Sequence, residues 1–144
     1  MKSLLAPLLS LVLLPGCFIF VDDREEPDPP PEPVNSAPYI NPEESWWLCE
    51  LDESNDDYFF EFQASVIDAD GLWNVEEVAV TVYAEGDHES ALDSFALYDE
   101  GEGIWAGVVW EDESNLFCGE AIDVLYEVWD EDGEYDRFLQ RYGD

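Results

Sequence analysis

Two short segments of this chain carry aspartates in the same arrangement, Asp-x-Asp-Gly. Asp68 and Asp70 form the first pair, and Asp130 and Asp132 form the second. Carboxylate oxygens are ligands that calcium prefers, and alternating aspartates before a glycine suit a tight ligand loop. We therefore predict a calcium site built from these four aspartates, with the weak affinity of extracellular modules, roughly 10⁻⁴–10⁻³ M. Calcium is the one cofactor that the sequence suggests.

The alternative interpretation of the same pattern is turn formation. An aspartate side chain caps a turn, and a glycine accepts positive φ at little cost. The first segment does not continue as an EF-hand loop, because that loop needs a third acid or amide where Leu72 stands. A further acidic loop, with Asp99 and Glu102, would add ligands if it lies at the same end of the fold.

The amino terminus has the pattern of an export signal. Lys2 precedes a mostly apolar run, residues 4–14, that is too short to span a bilayer. The segment Leu14-Pro15-Gly16-Cys17 resembles the lipobox of bacterial lipoproteins. This resemblance implies cleavage before Cys17, acylation of that cysteine with chains such as palmitate, and attachment to a membrane through the lipid. Phe18, as the following residue, favours the outer membrane by analogy with enteric lipoproteins.

The chain divides into three parts on this interpretation. Residues 1–16 form the signal peptide, residues 17–38 form the lipid-anchor cysteine and an acidic proline-rich linker, and residues 39–144 form one domain. Proline-rich segments favour stiff, extended conformations and act as spacers, and we expect no ordered fold in this one. The alternatives at the start are an ordinary signal peptide or a signal anchor extended through Phe18–Val21, which Pro15 and Gly16 would interrupt.

The charge of the chain limits the classes of partner that it binds. The formal net charge is −33, from 4 basic and 37 acidic residues. Loss of the signal would remove Lys2, so 3 − 37 gives −34. Nucleic acid is excluded as a partner, because its binding requires lysine and arginine to neutralise phosphates. Cations, cationic proteins and neutral glycans remain. Hydrophobic residues at 47% and aromatic residues at 15% exclude a wholly disordered chain.

Cys49 and Cys118 are the cysteines that remain after acylation of Cys17. An even pair in an exported chain predicts a disulfide, and a free catalytic or metal-binding thiol is the alternative. In the chain-entropy model, closing so long a loop stabilises the fold by roughly 4 kcal/mol.

From Tyr39 onward, apolar residues recur with a period of two. This alternation, with its β-branched and aromatic content, is typical of half-buried strands, and no helical stripe is present. The sets that fall on one face are Tyr58, Phe60, Phe62, Ala64 and Val66; Val78, Val80 and Val82; Ile104, Ala106, Val108 and Trp110; and Ile122, Val124, Tyr126 and Val128.

The strand pattern predicts an all-β protein, a single antiparallel immunoglobulin-like β-sandwich of about seven strands. We place the strands, A to G, near residues 39–48, 58–67, 75–83, 92–98, 103–110, 121–129 and 135–142. The alternation resembles that of the immunoglobulin-like modules of bacterial surfaces. In that order of strands, the B–C, D–E and F–G loops lie at one end, so the acidic loops would converge. Cys49 and Cys118 would meet at the opposite end.

The function expected from these features is a structural or interaction module of the bacterial cell envelope, anchored by lipid and stabilised by calcium. The alternative is a module that binds a glycan or an envelope protein through exposed aromatic residues, of which Trp46, Trp47 and Trp73 stand near predicted loops or strand ends. We expect no enzyme, because His88 is the single histidine and Lys2 falls within the signal.

Overall fold

The computed structural model describes residues 34–143, and the signal segment, Cys17 and most of the linker lie outside them. The described chain forms two antiparallel sheets, which confirms the all-β immunoglobulin-like sandwich. No helix within residues 34–143 is long and apolar enough to cross a membrane. The nine strands are β1 (Tyr39–Ile40), β2 (Trp46–Asp52), β3 (Asp57–Ile67), β4 (Val75–Ala84), β5 (Ala91–Ala96), β6 (Tyr98–Gly101), β7 (Ile104–Trp110), β8 (Ile122–Asp130) and β9 (Tyr135–Gln140).

Sheet I consists of β1, β2, β3, β7 and β6. β1 and β2 pair with successive parts of β3, and β7 pairs with β3 and β6. Sheet II has the order β5-β4-β8-β9. These two orders correspond to strands A-B-E-D and C′-C-F-G of immunoglobulin-like folds.

The predicted fourth strand, residues 92–98, is divided between the two sheets. β5 pairs with β4 in sheet II, whereas β6 pairs with β7 in sheet I. The chain changes sheets at Leu97, whose side chain is buried and whose N–H donates to the carbonyl of Val78. A single alternating run could not reveal this division, because both halves retain strand geometry.

The predicted disulfide joins Cys49 and Cys118, with a Cα–Cα distance of 5.9 Å. Cys49 lies within β2 and opposite Phe60 of β3, rather than in the A–B connection that the sequence suggested. Cys118 lies in the connection between β7 and β8, as predicted. The bridge therefore fastens sheet I to the segment that leads into sheet II.

The core lies between the sheets and contains most of the predicted apolar sets. Phe60, Phe62, three valines of β4 (Val78, Val80 and Val82) and the alternating apolar residues of β8 are buried. Leu116, from the connection between β7 and β8, also belongs to this core and is fully buried. Burial of each such side chain contributes about 1.5–3 kcal/mol before the cost of ordering the chain.

Gly103 occupies the turn between β6 and β7 for a steric reason. Its φ is +83°, and a Cβ built there would lie 2.4 Å from the carbonyl oxygen of Val66. The N–H of Val66 donates to the carbonyl of Gly103 at 2.7 Å. This close approach holds the turn beside the end of β3, at the end of the sandwich where the Asp-x-Asp-Gly segments lie.

Replacement of Tyr126 by phenylalanine is expected to stabilise the domain. The Tyr126 ring is buried against Phe138, and among the described residues its hydroxyl has no hydrogen-bond partner. Burial raises the pKa of the phenol, which keeps the hydroxyl neutral and undissociated. Removal of an unsatisfied buried hydroxyl should raise the free energy of unfolding by about 1 kcal/mol, measured by urea titration. Tyr135→Phe, at an exposed position, is the control, and a loss of stability in Tyr126→Phe would contradict the expectation.

Candidate functional site

The two Asp-x-Asp-Gly segments lie at the same end of the sandwich, as predicted; we call this end the acidic pole. The N–H of Glu131, after β8, donates to the carbonyl of Asn74, before β4, at 2.8 Å. The described chain also begins here, because Asn35 and Ser36 bind residues of both segments. The acidic pole is therefore the end of the domain at which the linker enters.

The carboxylates of the first segment accept backbone hydrogen bonds. Oδ1 of Asp68 accepts the N–H of Asp70 at 2.7 Å, an Asx turn. Oδ2 of Asp70 accepts the N–H of Ser36 at 2.6 Å. The bond to Asp68 is the one that the turn interpretation requires, and the bond to Asp70 joins this turn to Ser36.

Asp130 has the most constrained carboxylate at the acidic pole. Its side chain is 1% exposed. Oδ1 accepts the N–H groups of Asp132 and Glu134 at 3.0 and 2.8 Å, and Oδ2 accepts Nδ2 of Asn35 at 2.6 Å. Burial opposes ionisation, but these hydrogen bonds outweigh it and lower the pKa of Asp130 below its ordinary value. Asp130 thus joins the β8–β9 turn to the amino-terminal segment.

The described residues contain no group of three or more histidine, cysteine or carboxylate side chains placed to hold a metal ion. The carboxylate of Asp132 is exposed and accepts no hydrogen bond from the described residues. Asp99 instead caps its own turn, accepting the N–H of Gly101 at 2.7 Å. The arrangement favours turn formation for these aspartates, and the calcium site stays a prediction.

Trp73 is a strongly exposed aromatic residue at the acidic pole. It is 77% exposed, although its Nε1–H donates to the carbonyl of Asp70 at 3.0 Å. The ring also contacts Gly71, where a Cβ would lie 2.8 Å from Cδ1 of Trp73. A groove of about 260 Å³ runs beside the ring and is lined by Val34, Asn35, Asp70, Trp73 and Asp132. One face of an indole is thus displayed in a fixed orientation.

His88, the single histidine of the chain, contacts a buried carboxylate. Its Nε2 lies 2.7 Å from Oδ2 of Asp123, and its ring packs edge-on against Tyr83. Asp123 is buried and also accepts the N–H groups of Gly86 and Tyr142, both at 3.0 Å. One carboxylate therefore holds the β4–β5 loop, His88 and the segment after β9 together.

The contacts of Asp123 make the free energy of unfolding of the domain depend on pH in the acid range. Burial opposes ionisation of Asp123, but its hydrogen bonds and the nearby His88 lower the pKa below its ordinary value. A lowered folded-state pKa stabilises the fold above the unfolded pKa, about 4, and this stabilisation is lost as the pH falls through the folded value. The stability difference between the parent chain and Asp123→Asn should therefore shrink from pH 6 to pH 3. Urea unfolding at both pH values measures it, and a constant difference would contradict the assignment.

The outer face of sheet I differs most from the sequence prediction, because the alternating apolar set of β7 lies on this face and not in the core. In β7, Trp105, Gly107 and Val109 point towards the core, and the alternating set that begins at Ile104 points outward. The cross-strand pairing identifies the residues that share this outer face. They are Trp46, Leu48, Glu50, Phe59, Glu61, Gln63, Tyr98, Ile104, Ala106, Val108 and Trp110.

Apolar side chains dominate the outer face of sheet I and remain accessible. Val108 is 57% exposed and Tyr98 is 74% exposed. The rings of Phe59 and Trp110, opposite each other in register, have centroids 5.5 Å apart. Two depressions of about 450 and 520 Å³ meet at Val108. Exposed apolar side chains grouped on one sheet face in this way mark interaction sites in soluble domains.

Comparison with protein-family models and with curated protein sequences finds no match to this chain. The interpretation of function therefore depends on the residues and on their arrangement.

Proposed function

We propose that this chain is a lipid-anchored module of the bacterial cell envelope that binds a protein partner through the outer face of sheet I. The observation that carries the proposal is the exposure of Val108 and Tyr98 beside Phe59 and Trp110 on one sheet face. A face of this composition loses unfavourable contact with water when a partner covers it.

The anchor part of the proposal depends on the lipobox and not on the described residues. Cys17 would carry the lipid, and the proline-rich linker would separate the domain from the membrane. Two or more acyl chains make such an anchor stable without any basic surface on the protein. Cys17→Ser should release the chain from the membrane fraction and abolish its metabolic labelling with palmitate, whereas unchanged membrane association would contradict the anchor.

The interaction part is tested with the full-length lipoprotein in its source bacterium. Gentle detergent extraction and native electrophoresis should give a complex larger than the free chain. Val108→Asp places a charge at the junction of the two depressions and should return the chain to its free mobility. Tyr135→Asp is the matched control, because Tyr135 is similarly exposed, at 56% against 57% for Val108, but lies on sheet II. Loss of the complex in both variants, or in neither, would contradict the choice of face.

Trp73 supports a second candidate function, glycan binding by ring stacking. Its fixed and exposed indole is the geometry that sugar stacking uses. Soluble envelope oligosaccharides should quench tryptophan fluorescence of the parent chain and not that of Trp73→Ala. Quenching that persists in this variant would exclude Trp73 as the stacking platform.

Calcium binding is tested by thermal unfolding in millimolar calcium, with magnesium at equal ionic strength as the control. We expect equal responses to the two cations, because a chain of this charge is stabilised by screening alone. A rise specific to calcium, and lost in Asp70→Asn with Asp132→Asn, would contradict this expectation and establish the four-aspartate site.

A further inference from the structure

The occupant of the outer face of sheet I can be identified by its chemistry, on the premise that this face is the interface of the proposed function. Acidic residues lie within and around this apolar surface: Glu61 stands opposite Val108 on the neighbouring strand, Glu50 is another outward residue, and Asp52, Glu53 and Glu100 line the depressions. A partner that covers this surface must also approach these carboxylates.

The basic residues within residues 34–143 lie in or beside the strands of sheet II. Arg137 lies on β9 of sheet II and Arg141 follows it, while His88 lies in the loop between β4 and β5. The described strands of sheet I contain no lysine, arginine or histidine. The outer face of sheet I thus combines apolar side chains with carboxylates, and its described strands carry no basic residue.

A second copy of this chain does not fit that surface. Two such faces would bring their carboxylates together, and each chain carries a formal net charge of −33. Like-charge contacts across an interface oppose association and select against the wrong partner. The same argument disfavours the acidic linker of this chain as the occupant.

From this distribution we infer that the outer face of sheet I binds a basic protein segment whose apolar side chains are flanked by lysine or arginine. The apolar side chains would enter the depressions that meet at Val108. The flanking cations would lie beside Glu61, Glu100 and the acids near Leu51. Electrostatic attraction would accelerate encounter, and burial of the apolar side chains would supply most of the lasting affinity.

The test uses two synthetic peptides of equal charge and the unlipidated chain from residue 18. One peptide has a Leu-Phe-Leu centre between two pairs of lysines, and the other has three serines at its centre. At physiological salt, titration followed by tryptophan fluorescence should give a Kd about tenfold lower for the apolar-centred peptide, a ratio that equals about 1.4 kcal/mol. Equal affinities would reduce the binding to charge alone and overturn the inference, as would the absence of binding.

Val108→Asp separates apolar recognition from simple attraction. If charge alone were responsible, the added carboxylate would tighten the binding of both peptides. The inference predicts instead that Val108→Asp loses the tenfold preference, while Tyr135→Asp, which adds the same charge on sheet II, retains it. Tighter binding of the apolar-centred peptide to Val108→Asp would overturn the inference.

Two measurements address the other occupants. Sedimentation should show a monomer at physiological salt, and a dimer lost in Val108→Asp would assign the face to a second copy. Replacement of Phe18 and Phe20 by serine should leave peptide affinity unchanged, and a tenfold gain would identify the chain's own apolar segment as the occupant. If neither basic peptide binds but the chain still forms a Val108-dependent complex in cells, the inferred basic partner would be wrong. The proposed function, binding of a protein through the outer face of sheet I, would still hold.

Discussion

Removal of the disulfide between Cys49 and Cys118 should lower the free energy of unfolding by about 4 kcal/mol. The bridge joins residues 69 apart in sequence, so its loss returns much conformational freedom to the unfolded chain. It also frees β2, an edge strand of sheet I, from the β7–β8 connection that brings Leu116 into the core. An edge strand and a core side chain should therefore loosen together.

The double variant Cys49→Ala with Cys118→Ala is suited to this test, because no thiol remains to form other bridges. Urea unfolding of the parent and variant chains from residue 18 gives the difference. Reductant should destabilise the parent to the level of the variant and have no effect on the variant itself. A difference below about 1 kcal/mol would mean that the bridge constrains the unfolded chain little.

Asp130→Ala should give the second large effect and lower the thermal midpoint by on the order of 10 °C. The substitution leaves the N–H groups of Asp132 and Glu134 and the amide of Asn35 without their acceptor, in a place that water scarcely reaches. The β8–β9 turn and the amino-terminal segment should loosen at once. Hydrogen exchange should show lost protection at both places and little change in β3.

Asp132→Ala is the matched control in the same turn. The Asp132 carboxylate is exposed and accepts no hydrogen bond from the described residues, so the midpoint should move by less than about 2 °C. Under the calcium hypothesis, Asp130 and Asp132 would both be ligands. If both variants lowered the thermal midpoint equally, and only with calcium present, the result would support the calcium hypothesis and contradict the turn interpretation.

The strands that bury one face were predictable from the sequence. β3, β4 and β8 alternate apolar with polar residues, and their apolar positions fill the core. A shift of one residue would expose every one of these side chains, so burial fixes their register. The order of the strands then places the acidic loops at one end and allows the cysteines to meet.

The outer face of sheet I was not predictable in the same way. β7 reads Ile-Trp-Ala-Gly-Val-Val-Trp and is apolar at every position, so a period of two cannot indicate which set is buried. Packing determines which set of β7 faces the core. A Cβ at Gly107 would lie 3.0 Å from Cδ2 of Leu97, so the glycine leaves room for the Leu97 side chain where the chain changes sheets. A strand that is apolar on both faces is the signal that could have indicated an interface.

The roles of the acidic residues also depended on atoms that a motif does not specify. Asp68 and Asp130 occupy equivalent places in their segments, yet Asp130 is fully buried and accepts the amide of Asn35, whereas Asp68 is half-buried and caps only its own turn. The contact between His88 and Asp123 joins residues 35 apart, and no spacing rule connects them. Long-range contacts of this kind follow from the complete fold.

Site-specific photocrosslinking in the source bacterium tests the central claim most directly. A photoreactive phenylalanine derivative is placed singly at Ile104 and Val108 on the outer face of sheet I, and at Tyr135 on sheet II. The proposal predicts an adduct of one defined mass from positions 104 and 108 and no adduct from position 135. Adducts of equal yield from both sheets, or none from positions 104 and 108, would contradict the assignment of this face as the interface.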